Sequence, residues 1–265
     1  MRSSIKISLI LSLIIIAVAC KKSAQSVTEE QTVSKEVLDR VYALGFSNKN
    51  VQVHEDGYLV EGDIVLSEQD IYGVPGEIKL LRIGSEEQYR TTNLVTGLPR
   101  NITVSISNRL PASYVAALDE ALGRYNAQGL RITFSRVSSG AMISIVRGNG
   151  NYLASAGFPS SGGSPYNQVK VNSNAIGNQP QSTVASIIAH ELGHCIGFRH
   201  TDYMNRSFSC GGQPVNEGAS NVGAVLIPGT PSGPDPNSWM LSCIGSGQNR
   251  PFNNNDKTAL NFLYK

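Results

Sequence analysis

The stretch His190–His200 reads HELGHCIGFRH and holds three of the four histidines of this 265-residue chain. His190 and His194 are one helical turn apart, so their imidazoles project from the same face and can share one metal ion. Glu191 lies about 100° further round the helix, close enough to reach a water at that ion without ligating it. The spacing predicts a helix that carries a metal site with a carboxylate base beside it.

His200 would be rotated by about 240° from His194 in a continuous helix and would point away from the metal. Gly197 can adopt positive φ, end the helix and turn the chain back. Three neutral histidines leave a fourth position open, which is typical of catalytic zinc sites. We therefore predict one Zn²⁺ held by His190, His194 and His200, with Glu191 as general base for a metal-activated water. The alternative is a set of packed helix histidines, which this spacing together with Glu and Gly disfavours.

The first twenty residues indicate export. Arg2 and Lys6 form a basic region before an apolar stretch from Ile7 to Ala19, which is too short to span a bilayer and is typical of a signal peptide. The small residues before Cys20 resemble a bacterial lipoprotein cleavage box, in which Cys20 becomes the lipidated first residue; a plain signal peptide cut near Ala19 is the alternative. We expect an exported bacterial lipoprotein at the cell envelope, on the outer membrane or cell surface, or released after processing.

Composition excludes some partners and leaves the disulfide open. The formal net charge is +2 and no basic tract appears, so nucleic-acid binding has no support, and we expect a monomer. Without Cys20, three cysteines remain. Cys195 lies on the predicted metal helix and faces away from His194, which favours a disulfide between Cys210 and Cys243, although connectivity cannot be settled from sequence. Calcium would suit the Asn- and Asp-containing loops, but no EF-hand or nonapeptide repeat supports it.

The order of patterns along the chain predicts an α+β fold. Ile102–Ile106 alternates as a strand does, and Pro111 opens an amphipathic helix. Further strands are predicted at 130–137, 142–146 and 168–172, followed by the motif helix over 182–196. A Gly/Pro/Asn/Ser-rich stretch and a final helix complete the chain. Nearer the N-terminus, the patterns predict a helix within 32–44 and a hairpin turned by Asp56-Gly57. His54, beside that turn, is expected to be exposed. A turn-rich stretch at 82–100 follows.

The extended stretch HELGHCIGFRHTDY resembles the metzincin clan of zinc endopeptidases, and within it the dual-action HEIGH metallopeptidase family of bacteria. The resemblance implies a twisted, mostly parallel sheet with an antiparallel edge strand, two long helices, and a loop-rich C-terminal subdomain with a Met-turn and a terminal helix. SWMLS at 238–242 fits that turn, with Met240 below the metal. Ser242 stands where astacin-like relatives have tyrosine, so no oxyanion donor is assigned. Thr201 matches neither the astacins nor the matrixins.

A second resemblance lies upstream. VEGDI at 60–64 resembles the FxGD segment of astacin pro-peptides, although Val60 replaces the phenylalanine. The resemblance implies that Asp63 takes the open zinc position and keeps the precursor latent; an ordinary surface turn is the alternative. The implied domains are a lipoprotein signal peptide at 1–20, a tether and inhibitory pro-region at 21–95 and a metalloprotease catalytic domain at 96–265. Cleavage is expected near Arg90 or Arg100.

The sequence therefore predicts a latent, lipid-anchored zinc endopeptidase that binds polypeptide. The resemblance places substrate antiparallel along 168–172 as an exposed edge strand. One alternative is a surface-binding or adhesin lipoprotein on an inactive metzincin scaffold, against which the intact Glu191 speaks. Another keeps the zinc and cleaves a different amide, such as a cell-wall peptide.

Overall fold

The computed structural model describes residues 32–44, 46–73, 88–214, 224–231 and 233–265. The predictions for Cys20, the signal peptide and the tether at 21–31 lie outside these residues. The helices are Lys35–Ala43 (α1), Glu68–Tyr72 (α2), Ser113–Asn126 (α3), Ser173–Ile176 (α4), Gln181–Cys195 (α5), Ser207–Cys210 (α6) and Asn254–Tyr264 (α7). The strands are Gln52–His54 (β1), Gly57–Val60 (β2), Ile64–Leu66 (β3), Tyr89–Arg90 (β4), Arg100–Ile106 (β5), Ile132–Arg136 (β6), Ile143–Arg147 (β7), Ala154–Ser155 (β8), Gln168–Val171 (β9) and Val225–Leu226 (β10). None of the helices in these ranges has the length and apolar character to cross a bilayer.

A five-stranded sheet forms the frame of residues 88–265, which we call the catalytic half because they contain the motif predicted to hold the metal and the base. Its strand order is β6-β5-β7-β9-β8, and all neighbours are parallel except the antiparallel pair β8 and β9. Ile102, Val104, Ile143 and Ile145 alternate along two central strands and are buried, as a half-buried strand pattern predicts. The mostly parallel sheet with one antiparallel edge strand agrees with the expected architecture.

Two long helices, α3 and α5, pack against each other and against this sheet. In α3, Ala117, Leu118 and Ala121 are buried on one face, as its apolar stripe predicts. In α5 every residue from Thr183 to Cys195 is buried, because the helix lies in the middle of the catalytic core. The helix that bears the metal motif is therefore held from all sides, which favours fixed side-chain positions.

A separate layer, residues 32–73, precedes the catalytic half and is called the N-terminal layer. It contains α1, the antiparallel sheet β1-β2-β3 and α2. The Ser34 hydroxyl caps α1, and Ser67 with Asp70 forms a capping box on α2. Seven buried apolar side chains make a small core between these elements: Val37, Val41, Phe46, Val60, Ile64, Leu66 and Ile71.

The predicted edge strand at 168–172 is wrong in its position. Gln168–Val171 forms β9, which is covered by β7 on one side and β8 on the other. The edge is β8, which has only two residues. Two residues are too few to show an alternating pattern, so the edge strand that the resemblance implies was matched instead to the neighbouring strand at 168–172, which does alternate.

Candidate metal centre

Helix α5 presents the first two histidines of the motif. His190 is 8% exposed and His194 is fully buried, and their ring centroids lie 4.7 Å apart. Because the residues are one helical turn apart, both rings leave the helix on the same side. The two imidazoles therefore face a common point inside the protein.

Gly197 turns the chain where α5 ends. Its φ is 109°, in the range that favours glycine. A Cβ atom at this position would lie 2.7 Å from Leu94 Cδ2 and 3.0 Å from the Asn93 carbonyl oxygen. Position 197 therefore needs glycine both for its backbone conformation and for the close approach of the neighbouring loop. Cys195, just before the turn, is a buried free thiol.

His200 joins the other two rings beyond this turn. Its ring centroid lies 5.2 Å from that of His190 and 4.9 Å from that of His194. The Nδ1 atoms of His190 and His194 donate hydrogen bonds to the carbonyl oxygens of Trp239 and Phe198, at 2.9 and 2.8 Å. A carbonyl oxygen can only accept, so these bonds fix the tautomer and leave each Nε2 free to bind a metal.

The donor set fits a metal ion. Burial lowers the pKa of His194, and the neighbouring His190 and His200 lower it further, which keeps its ring neutral. His194 Nε2 is buried and has no hydrogen-bond partner among the described residues. One ligand atom from each of the three histidines and from Asp63 lies within 4.8 Å of the others. Three imidazole nitrogens and one carboxylate oxygen match the ligands and the number that zinc prefers.

Asp63 reaches the histidines from the N-terminal layer. Its Oδ2 atom lies 3.1 Å from His200 Nε2 and 3.5 Å from His190 Nε2. Burial by itself would raise the pKa of Asp63, but the charge of His200 and hydrogen bonds from His190 and His200 hold it well below its usual range. The side chain is therefore an ionised carboxylate beside the three imidazoles.

The backbone around Asp63 also pairs with the edge of the central sheet. The Ala156 amide, just after β8, donates to the Asp63 carbonyl oxygen at 2.9 Å. The Val65 amide donates to the Ala156 carbonyl oxygen at 2.7 Å, and Ile64 bridges Ala156 in parallel. The N-terminal layer thus covers the open edge of the sheet next to the histidines.

Glu191 lies beside the same cluster and borders a cavity. Burial raises the pKa of Glu191 well above its usual value, and the nearby Asp63 raises it further. A carboxyl with a raised pKa is suited to accept and return a proton near neutral pH. The cavity has a volume of about 230 Å³, and Ile187, Leu241 and Ser242 are among its lining residues. There is room for a substrate group within reach of Glu191.

Met240 packs directly under the motif helix. It is fully buried, and a Cβ atom on Gly193 would lie 2.5 Å from its Sδ and 3.1 Å from Trp239 Nε1. Gly193 therefore allows the 238–241 turn to approach α5 between the two helix histidines. The Met240 carbonyl oxygen accepts a hydrogen bond from the Thr201 amide at 3.0 Å, which ties this turn to the segment after His200.

Sequence reasoning gave no role to Asp202, which holds the loops below the site together. This fully buried carboxylate accepts hydrogen bonds from the Ser242 amide and hydroxyl at 2.9 and 2.8 Å and from the Ser209 hydroxyl at 2.6 Å. Next to these contacts a disulfide joins Cys210 and Cys243. The signal in the sequence was a charged residue two positions after the third histidine, but its partners are distant in sequence.

Residues 88–95 pack with the catalytic half, although the sequence placed the boundary at residue 95. The Tyr89 carbonyl accepts a hydrogen bond from the Arg199 amide at 2.8 Å, and the buried Gln88 side chain donates to Asp256 at 2.7 Å. Arg90 is in β4 and Arg100 begins β5. Cleavage at either predicted point would break a strand of the catalytic half, whereas a cut upstream of Gln88 would leave both strands intact.

The expectation that His54 is exposed is wrong. Its side chain is 6% exposed and packs beside Tyr152, with ring centroids 6.0 Å apart. At the same hairpin turn, Glu55 and Asp56 form ion pairs with Lys170 of β9. The hairpin docks on the catalytic half, a long-range contact that its local turn pattern could not reveal.

The sequence profile of the dual-action HEIGH metallo-peptidase family matches residues 59–264. A search of curated proteins finds no match. Among solved structures, one of myroilysin has 18% identity and a TM-score of 0.41, covering 66% of this chain and 98% of that chain. A second structure of myroilysin has 16% identity and a TM-score of 0.39, covering 65% and 86%. High choriolytic enzyme 1, a hatching-enzyme zinc-protease from the medaka fish Oryzias latipes, has 19% identity and a TM-score of 0.35, covering 62% and 88%.

Proposed function

Because the chain belongs to the dual-action HEIGH metallo-peptidase family, we propose that this metallopeptidase is a zinc-dependent endopeptidase of the metzincin type. The observation that carries the proposal is the convergence of three imidazoles beside a buried carboxylate, with one ligand atom from each within 4.8 Å of the others. Zinc bound by His190, His194 and His200 would supply a water of lowered pKa and polarise the scissile carbonyl.

The protein side chains have distinct tasks in this reaction. Hydrogen bonds from His190 and His194 to the carbonyl oxygens of Trp239 and Phe198 hold the rings in orientation. Glu191, which lies beside the histidines and borders the cavity, would take a proton from the attacking water and deliver it to the leaving amine. Met240 supports the helix from below, in the role of a Met-turn.

Substrate would bind as an extended polypeptide along β8, the true edge of the sheet, antiparallel to the strand. In the structure that edge carries the hydrogen bonds to Asp63 and Val65. Active enzyme therefore requires that the N-terminal layer leave, and the covered edge supports a latent precursor in which Asp63 takes the fourth position at the metal. Cleavage upstream of Gln88 would release the layer without breaking β4 or β5.

The test of hydrolysis is Glu191→Gln, which keeps the size of the side chain and removes the base. In protein cut upstream of Gln88, we expect at least a hundredfold loss of kcat/KM on denatured casein or gelatin, with zinc content unchanged, because general bases contribute about 10²–10⁴-fold. Unchanged cleavage would reject the mechanism. The adhesin alternative predicts no cleavage by wild type either, and comparing muropeptides with denatured protein as substrates separates cell-wall from protein hydrolysis.

Latency and anchoring have separate tests. Asp63→Ala should raise the activity of the unprocessed chain, and equal, low activity in variant and wild type would count against the carboxylate switch.

For export as a lipoprotein, Cys20→Ser should release the protein into the medium. Continued retention of that variant in membranes would reject lipidation at Cys20.

A further inference from the structure

A buried ion pair joins the N-terminal layer to the metal-binding motif. Its partners are Glu61, two residues before Asp63, and Arg199, next to His200. Arg199 Nη2 donates to both carboxylate oxygens of Glu61, each at 2.7 Å. Both side chains are fully shielded from solvent, and the Ser47 amide also donates to Glu61, at 3.1 Å. Phe46 covers the pair, with its ring centre 4.5 Å from the Arg199 guanidinium carbon. The pair is enclosed by side chains and backbone from both regions.

The backbone between the two carboxylates has an unusual conformation. Glu61 has a φ of 54° and Gly62 has a φ of 93°. Left-handed conformations are uncommon for residues other than glycine and persist where surrounding contacts hold them. Here the turn brings the carboxylates of Glu61 and Asp63 to two adjacent residues of the catalytic half, Arg199 and His200. The position of one carboxylate is therefore coupled to the position of the other.

We infer that Glu61 is the positioning residue of the latch: its ion pair with Arg199 fixes the turn that places Asp63 at the histidines. This inference rests on the proposed latency, and it identifies the contact that keeps the N-terminal layer docked. Removing one partner of a buried ion pair leaves a buried charge uncompensated, which is strongly destabilising. Undocking of the layer must therefore break the buried pair of Glu61 and Arg199 as well as the contact of Asp63 with the metal site. The buried pair adds a barrier to undocking that Asp63 alone would not supply.

A second ion pair of the same layer provides a matched comparison. Glu55 pairs with Lys170, but its side chain is 71% exposed to solvent. Lys170 itself is buried, but it keeps Asp56 as a second partner, and water solvates the exposed Glu55 well, so losing this charge should cost little. Glu55→Gln and Glu61→Gln thus remove the same charge from the same layer, once at its rim and once in its buried contact.

The experiment compares amide hydrogen exchange in the full chain for wild type, Glu61→Gln and Glu55→Gln. The reporters are Val65 and Ala156, whose amides hydrogen-bond across the two regions. We expect exchange to accelerate about tenfold or more in Glu61→Gln and less than about threefold in Glu55→Gln. Equal acceleration in the two variants, or none in Glu61→Gln, would overturn the inference.

Chemical rescue distinguishes an ion pair from mere packing. In Glu61→Ala, acetate can occupy the vacated space and pair with Arg199, whereas acetamide has the same shape without the charge. Acetate should slow exchange at Val65 and Ala156 and restore low basal peptidase activity, and acetamide should not. Equal effects of both, or no effect of either, would reject the role of the charge. This pair of additives also serves if Glu61→Gln folds poorly.

Activity measurements on Asp63→Asn and on cut protein distinguish a failure of the latency proposal from a failure of the peptidase proposal. If Asp63→Asn leaves the full chain inactive while protein cut upstream of Gln88 is active, the latch proposal fails. If the cut protein is also inactive, the peptidase proposal fails. The exchange rates of Glu61→Gln and Glu55→Gln are read without any activity, so they decide the role of Glu61 in either case.

Discussion

The catalytic half keeps its apolar side chains in one large core around α3, α5 and the five-stranded sheet, whereas the N-terminal layer has a small core of its own. Between them lie charged contacts, from Asp63 to the histidines and from Glu61 to Arg199, together with a few apolar ones such as Phe46 against Phe158. Because the larger region has a core of its own, we expect it to stay folded when the smaller one leaves, as the proposed latency requires.

The largest expected effect comes from removing the metal, which would hold the two regions at one point. His194→Ala should weaken zinc binding sharply, because only two imidazoles and Asp63 would remain as ligands. Ligands that bind only the folded state stabilise it, by about 4 kcal/mol at a thousandfold excess over Kd. For a domain of this size, zinc chelation should therefore lower the Tm of wild type by roughly 10 °C.

The comparison is between wild type and His194→Ala, each with and without chelator, by calorimetry and elemental analysis. The variant should start from a lower Tm, which the chelator leaves unchanged. A variant that keeps one equivalent of zinc and the wild-type response would show that His194 is not a ligand. If the N-terminal layer melts at the same temperature with and without chelator, Asp63 does not connect the two regions through the metal.

A smaller effect is expected inside the catalytic half, at Gly193. A Cβ atom there would meet Met240 Sδ at 2.5 Å, so Gly193→Ala must displace Met240 or the helix. Overpacking of a core costs about 1–3 kcal/mol, partly offset by the roughly 1 kcal/mol gain in helix propensity. We expect a net loss of stability and weaker zinc binding, measured by denaturant unfolding and by competition with a chelator.

Gly123→Ala in α3 is the matched control. Gly123 is exposed in a helix and has no atom within 4 Å of its ideal Cβ position, leaving out its chain neighbours and its own helix backbone. This substitution should stabilise the protein by about 0.5–1 kcal/mol, through helix propensity alone. If both variants gain stability equally, close packing under the motif helix is not what requires glycine at position 193.

The sequence was most informative where one helix and one turn determine the geometry. The spacing of His190 and His194 and the glycine at 197 are local properties, and the turn they predict is present. The longer helices α1, α3, α5 and α7 and the main parallel strands also follow from periods of 3.6 and 2, and the hairpin follows from its Asp56-Gly57 turn. These patterns repeat over enough residues to be recognised without knowing their partners.

Contacts between distant segments could not be read in this way. β8 is too short to show a period, and the Glu61 pair with Arg199 spans 138 positions. Residues 88–91 look like a polar linker, yet Tyr89–Arg90 forms β4 because it pairs with β10, far along the chain. In each case the deciding partner is remote in sequence, so neither local patterns nor the resemblance could reveal the contact.

The smallest expected effect concerns the rim of the N-terminal layer, where His54 lies against Tyr152. The pKa of His54 is lowered, first by burial and then by the charge of Lys170, with Asp56 and Glu55 opposing. An undocked His54 has an ordinary pKa of about 6.5, so docking favours the neutral ring. Docking should therefore be strongest above about pH 6.5 and weaken as the pH falls below it.

Hydrogen exchange at Val65 and Ala156, corrected for its intrinsic pH dependence, measures this docking between pH 7.5 and 5.5. We expect wild type to lose protection by about threefold to tenfold, since one histidine supplies the change. His54→Gln, which cannot gain the proton, should hold its protection across the range, with zinc content checked at each pH. If both proteins lose protection equally, the acid sensitivity comes from the metal centre and His54 does not contribute to it.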